Sequence, residues 1–215
     1  MSLRERIAFF GQMRSNFEHT GAVQPSSRFL ARAMAAPLQH RHATSAAHRL
    51  RILEIGPGTG AVTRAIAASM GPEDELVCYE INAEFVRLLR QILQRDPALA
   101  TVAERITVHH APAQNLDGDE PFDIAVCSAP LNNFDAATID AVLDAMMGAL
   151  KPGGRATLFE YVLFPRLRRA ISRGPGGERL RQSEAAKSLW LGRHGHATVT
   201  VLRNLPPARV HELSV

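Results

Sequence analysis

The chain has 215 residues and a mass of 23.5 kDa, the size of one α/β domain, and its whole length reads as a single unit. With 46% hydrophobic and 21% charged residues it can bury a full core, which excludes collagen-like, coiled-coil and wholly disordered architectures. The net charge of +4 conceals a segregation: residues 1–50 carry +5, residues 51–150 carry −9 and residues 151–215 carry +8. An acidic middle between basic ends points those ends at an anionic partner, nucleic acid or a lipid surface, unless the arginines only solvate helices. Cys78 and Cys127 lie in apolar runs and are too few for a disulfide framework, so a reducing cytosol is expected. No apolar run is long enough to span a bilayer or to form a signal peptide, so the chain is expected to be soluble or peripheral.

In chain order, residues 1–17 place Leu3, Ile7, Phe10, Arg14 and Phe17 on one stripe, with Phe9 and Met13 beside it and Arg4 and Arg6 interspersed. Such an amphipathic helix either lies in a bilayer interface or packs on the core. Ser27 can cap a helix carrying Leu30, Ala31 and Met34, which completes an N-terminal helical cap over residues 1–47. Residues 51–55 form a short apolar strand that runs into glycines. A helix with Val62, Ile66 and Met70 follows, stopped by Gly71 and Pro72. Residues 76–80 form the next strand. Asn82 caps a helix striped by Phe85, Leu88, Leu89, Ile92 and Leu93, which Pro97 ends. Residues 106–110 and 122–128 are two more strands. Asp135 then caps a helix with Ile139, Leu143, Met146, Met147 and Leu150 inward. Residues 151–154 read as a turn and 156–164 as a fifth strand. Residues 165–181 carry six arginines, and residues 197–202 and 208–213 form a hairpin around Asn204, Leu205, Pro206 and Pro207.

Strands alternating with helices predict βαβ units and a parallel sheet with helices on both faces. The expected fold is therefore α/β: a doubly wound, Rossmann-like, mostly parallel sheet with N-terminal helices and a C-terminal antiparallel hairpin. Gly56, Gly58 and Gly60 fall between a strand and a helix, where the missing Cβ atoms permit a tight turn and close approach of a ligand. Their spacing departs from the dinucleotide fingerprint, since the third glycine comes one residue early, and a pyrophosphate site is disfavoured. Glu80 ends the second strand 20 residues past Gly60, where a carboxylate can accept both ribose hydroxyls of a nucleoside.

The succession "LEIGPGTG", "CYE", "FDIAVCSAP" and "LKPGG" resembles the class I S-adenosylmethionine-dependent methyltransferases over roughly residues 48–164. The resemblance implies S-adenosylmethionine as cofactor, with Gly56, Gly58 and Gly60 along its methionine part, Glu54 near the amino-acid end, Glu80 on the ribose and Ile81 against the adenine. It also brings the turn at Ala113 and Gln114, and Ser128 after the fourth strand, to the cofactor. Many members of that family carry an acid after the third strand for the adenine amino group. This chain has Ala111, Pro112, Ala113 and Gln114 there, so Gln114 or a backbone group is expected to take that duty.

Methyl transfer from a sulfonium needs a nucleophile held in line and water excluded, not an acid–base triad. The acceptor is expected beyond the carboxyl ends of the strands, near Phe134 and the pair Glu160 and Tyr161. Tyr161 can hold a methylated ammonium by its ring, Phe134 can form a second wall, and Glu160 is the alternative carboxylate. Strand alternation keeps Glu160 and Tyr161 from serving together. The opening "TGAVQPSSRFLARAM" and the closing "RNLPPARV" resemble bacterial phospholipid N-methyltransferases. This resemblance implies a lipid amine as acceptor, phosphatidylethanolamine or its methylated forms, and a peripheral place on the inner, cytoplasmic face of a membrane. Adenine-N6 methylation of RNA is the alternative, weakened because "SAPL" lacks the Asn and adjacent aromatic of an N-P-P-Y-like turn. A non-catalytic basic binding protein on the same fold is the other. His109, His110, His194 and His196 are read as surface or strand-end residues, and no metal site is expected.

Overall fold

The computed structural model describes residues 27–44, 49–116, 120–131, 134–162 and 175–215. Helices α1 (Arg28–Met34) and α2 (Ala36–Thr44) precede strand β1 (Arg51–Ile55). Then come α3 (Ala61–Ala67), β2 (Glu75–Glu80), α4 (Ala83–Arg95), α5 (Pro97–Ala100), β3 (Ile106–His110) and β4 (Phe122–Cys127). The chain continues through α6 (Ala136–Gly148), β5 (Leu150–Tyr161), α7 (Pro175–His194), β6 (Gly195–Val201) and β7 (Ala208–Ser214). The seven strands form one sheet in the order β3-β2-β1-β4-β5-β7-β6. The first five run parallel, while β7 pairs antiparallel with both β5 and β6. The Rossmann-like sheet and its closing hairpin are as the alternation predicts.

Capping explains where the helices begin. Ser27 Oγ accepts from the Leu30 N–H, Asn82 Oδ1 from those of Glu84 and Phe85, and Asp135 Oδ1 from that of Thr138. Alternation along the strands makes two cores. One face buries Ile52, Leu76, Cys78, Ile124, Val126 and Phe159 against Leu30, Met34, Ile66 and Leu89 of the early helices. The other buries Leu53, Ile55, Ala125, Cys127 and Leu158 against Ile139, Leu143 and Met146 of α6. Both cysteines are free and buried in these cores.

One local reading is extended, one is corrected and one helix is added. α4 ends at Arg95, just ahead of Pro97 as expected, and Pro97 also opens the short α5, whose cap is Asp96. Residues 151–154 are not a separate turn. Phe122 faces Leu150 while Ile124 faces Arg155, so the extra residues swell out of β5 as a bulge, with Gly153 at φ +76°. The end of the basic stretch is the start of a 20-residue helix, α7, that apolar periodicity does not reveal. Residues 1–17 and 165–173 lie outside the described residues. Among the described residues no helix is long and apolar enough to cross a membrane.

Candidate active site

β1 runs straight into the glycine loop. Gly56, Gly58 and Gly60 have φ of +68°, +57° and +80°, backbone that side chains other than glycine rarely adopt. Gly56 is demanded twice, because a Cβ there would also lie 2.8 Å from the Ala129 Cβ on the loop after β4. The Gly56 N–H donates to the Tyr79 carbonyl (2.8 Å) and the Ser128 N–H to that of Ile55 (2.8 Å). The loop is thereby stitched to both neighbouring strands.

Two carboxylates stand around it. Glu80, 6% exposed, accepts the Gly58 N–H at 3.0 Å on Oε2 and the Asn82 N–H at 2.9 Å on Oε1. The acid that closes β2 thus fixes the middle glycine. Glu54 is fully buried and accepts the Ser128 hydroxyl on Oε1 and the Thr63 hydroxyl on Oε2, both at 2.7 Å. The Cys78 thiol lies 3.8 Å from Oε2. Burial pushes the Glu54 pKa up to about 7, against the opposing pull of Thr63, Ser128 and Cys78. Burial first, and then Glu54, push the Cys78 thiol well above its ordinary value. Ile81 follows Glu80, and its carbonyl lies 3.2 Å from His110 Nε2. After β3, Ala113 is buried and Gln114 exposed in a short 3₁₀ turn. The structure therefore gathers Glu54, the three glycines, Glu80 and Ser128 at the carboxyl ends of β1, β2 and β4. Thr63 joins this group without a motif to mark it. Its signal is a hydroxyl on the buried stripe of Val62 and Ile66, in the first turn after the loop.

At the ends of the later strands, Tyr161 and Glu160 point to opposite faces. Tyr161 packs edge-on to Phe159 (5.3 Å, 81°), on the core that also contains Ile52 and Cys78, and hence on the face of Glu54 and Glu80. Phe134 belongs to the other face, where its carbonyl accepts the Ser183 hydroxyl of α7 at 2.8 Å. Glu160 also faces α7. Its carboxylate meets His211 Nε2 at 3.2 Å and Lys187 Nζ at 3.3 Å, with Arg209 Nη1 at 4.0 Å. The hydrogen bond from His211 and the Lys187 ammonium hold its pKa down to about 2 despite burial. Lys187 and His211 carry no motif that sequence reasoning could find. Among the described residues no group of three His, Cys, Asp or Glu is placed to hold a metal ion. His109 stacks on Tyr79 at 4.8 Å.

A doubly wound sheet with a glycine loop after β1 and an acid closing β2 defines a nucleoside-cofactor fold. Residues 52–154 match the family model of a methyltransferase domain. The match covers 103 of the 215 residues, just under half of the chain. The chain is 33% identical over 120 residues to the ubiquinone/menaquinone biosynthesis C-methyltransferase UbiE of Stutzerimonas stutzeri, a match covering 55% of this chain and 44% of that protein. It thus spans less than half the length of the curated relatives it matches. Among solved structures it resembles the O-methyltransferase from Bacillus cereus in complex with SAH (TM-score 0.65, 15% identity, 95% of this chain and 90% of that one). It also resembles the magnesium protoporphyrin IX methyltransferase ChlM from Synechocystis with bound SAH (TM-score 0.62, 14% identity, 86% and 82%). These likenesses establish the fold.

The residues present fit S-adenosylmethionine. Glycines at 56, 58 and 60 leave room beside the loop for the methionine part, and the Glu80 carboxylate there offers acceptor oxygens to a ribose diol. Ile81 adds an apolar side chain beside it. When bound, the cofactor supplies an electrophilic methyl group on a sulfonium.

Proposed function

We propose that this chain methylates the amine of a lipid head group, phosphatidylethanolamine or its methylated forms, at the cytoplasmic face of a membrane. One observation carries the reading beyond the methyltransferase domain. The two terminal stretches that resemble phospholipid N-methyltransferases meet in space: the Ser27 N–H donates to Asn204 Oδ1 at 3.1 Å, across 177 residues of chain. They meet beside the end of β5, where the Val162 N–H donates to the Pro207 carbonyl at 2.8 Å and Tyr161 pairs with Ala208.

In this reading Glu54, Gly56, Gly58, Gly60, Glu80 and Ser128 shape the cofactor site, with Ile81, Ala113 and Gln114 toward the adenine. An ammonium has no lone pair, so the head-group amine must lose its proton before it attacks. Tyr161 is proposed to hold the amine by its ring, and its hydroxyl to accept a hydrogen bond from it. Phe134, expected as a second wall, packs on the opposite face of the sheet against α7 and is left out of the amine site. Glu160, already an anion compensated by Lys187 and His211, is left to position α7 against β5.

Incubation with methyl-labelled cofactor and mixed micelles of phosphatidylethanolamine tests this, with RNA and a lipid extract rich in quinone precursors as parallel arms. Label is expected in N-methylated phosphatidylethanolamine. Label in a quinone precursor would instead support carbon methylation, the activity named for the 33% identical relative. Label in RNA would support the base-methylating alternative. Tyr161→Phe should keep cofactor affinity and slow transfer to the amine, and Tyr161→Ala should slow it further. Wild-type rates in both variants would end the case for Tyr161.

A further inference from the structure

We propose that the turn between β6 and β7, residues 202–207, is a docking element for an anionic phospholipid surface. This rests on the lipid-amine reading above, but it assigns the contact to a surface that the reading does not need. Leu202 and Leu205 are 75% and 82% exposed, large apolar side chains set in water on either side of Asn204. Yet the turn that carries them is tightly tied. Asn204 is 4% exposed; its Oδ1 accepts the Ser27 N–H, and its Nδ2 donates to the Pro206 carbonyl at 2.7 Å. The leucines are therefore presented on a rigid support, with no loop entropy to lose when they are buried.

Charge around the turn fits the same partner. The Arg28 and Arg203 guanidinium groups lie 4.9 and 5.3 Å from the centre of the Phe29 ring. Two like charges are thus gathered on one aromatic plane, and among the described residues neither has an ion-pair partner. Residues 27–35 and 202–209 contain no carboxylate, and Arg209 adds a third exposed cation, with Glu160 4.0 Å away. Exposed leucines rimmed by arginine match the apolar and anionic layers of a lipid interface. A protein partner or a second copy would need a broader apolar face than one turn. β6 runs parallel to β5, so the turn projects from the same end of the sheet as the glycine loop and Tyr161. Docking there would bring head groups to the strand ends.

The test is co-sedimentation of the full chain with vesicles of phosphatidylglycerol and phosphatidylcholine, and with phosphatidylcholine alone. Leu202→Ser with Leu205→Ser should lower the partition coefficient on anionic vesicles by ~30-fold or more. Arg28→Gln with Arg203→Gln should remove most of the preference for anionic over neutral vesicles and its salt dependence. Cofactor affinity by calorimetry should be unchanged in both, showing that the variants fold. Wild-type partition in the leucine variant overturns the proposal. So does a leucine variant that changes only the oligomeric state in light scattering, which would make a second copy the occupant. A wild-type chain that docks through the leucines yet transfers no methyl to phosphatidylethanolamine sinks the lipid-amine reading alone. Transfer with unaltered docking of the variant sinks the docking proposal alone.

Discussion

Glu54 and Glu80 end adjacent strands, and their surroundings give the same side chain different duties. Among the described residues Glu54 meets hydroxyls and a thiol but no cation, and burial keeps its proton on up to about pH 7. In the unfolded chain the carboxyl titrates near its ordinary value of about 4.3. The folded form therefore binds the proton more tightly between those values, and raising the pH through that window removes stability. Glu54→Gln retains a carbonyl acceptor and ends the titration. The wild type should lose up to ~3 kcal/mol relative to this variant between about pH 4.5 and about pH 7. Chemical denaturation at a series of pH values measures it, and parallel profiles would contradict it. Glu80 instead accepts two backbone N–H groups, those of Gly58 and Asn82, which fix its carboxylate at the loop. Glu80→Ala should cost ~1.5–3 kcal/mol of cofactor binding in calorimetry, and an unchanged affinity would take Glu80 out of the site.

At the scale of elements, what a glycine does depends on where it stands. Gly56→Ala forces a side chain into left-handed backbone and against Ala129, at ~1–2 kcal/mol from the backbone alone. Gly148 ends α6 with open space where its Cβ would be, so Gly148→Ala should raise stability by ~0.5 kcal/mol. Urea denaturation should therefore give the same substitution opposite signs at the two positions. Destabilisation at both would refute the reading of Gly148. The strands, the glycine loop and the caps at Ser27, Asn82 and Asp135 were legible because local chemistry dictates them. The missed α7 was not. It opens on Pro175, Gly176 and Gly177, which read as a breaker, and its protected residues include Ser183 and Lys187, each 4% exposed. A helix held partly by buried polar groups leaves no clear apolar period to count. Residues 151–154 misled for a related reason, since a bulge and a turn use the same proline and glycines.

Across the whole molecule, the late helix and the late strands are joined by charge. Glu160 on β5 meets Lys187 on α7 and His211 on β7, and His211 Nδ1 lies 3.0 Å from the Thr198 hydroxyl on β6. Four elements converge there, next to the strand ends where the acceptor is proposed to bind. The Lys187 side chain is only 5% exposed, so its ion pair with Glu160 is little screened by water. Glu160→Gln should cost ~3 kcal/mol, because it removes one charge of a largely buried ion pair. Glu160→Gln with Lys187→Met removes both charges and should recover most of the loss, so the two substitutions should be strongly non-additive. The pH dependence runs opposite to that of Glu54. Glu160 is held down to about 2 in the folded chain, so its stabilisation is complete above its ordinary carboxylate range and is lost as the pH falls toward 2. The gap between wild type and Glu160→Gln should accordingly be widest at neutral pH and close on acidification. Additive costs, or a gap that ignores pH, would mean that α7 is held by its apolar contacts and not by this carboxylate.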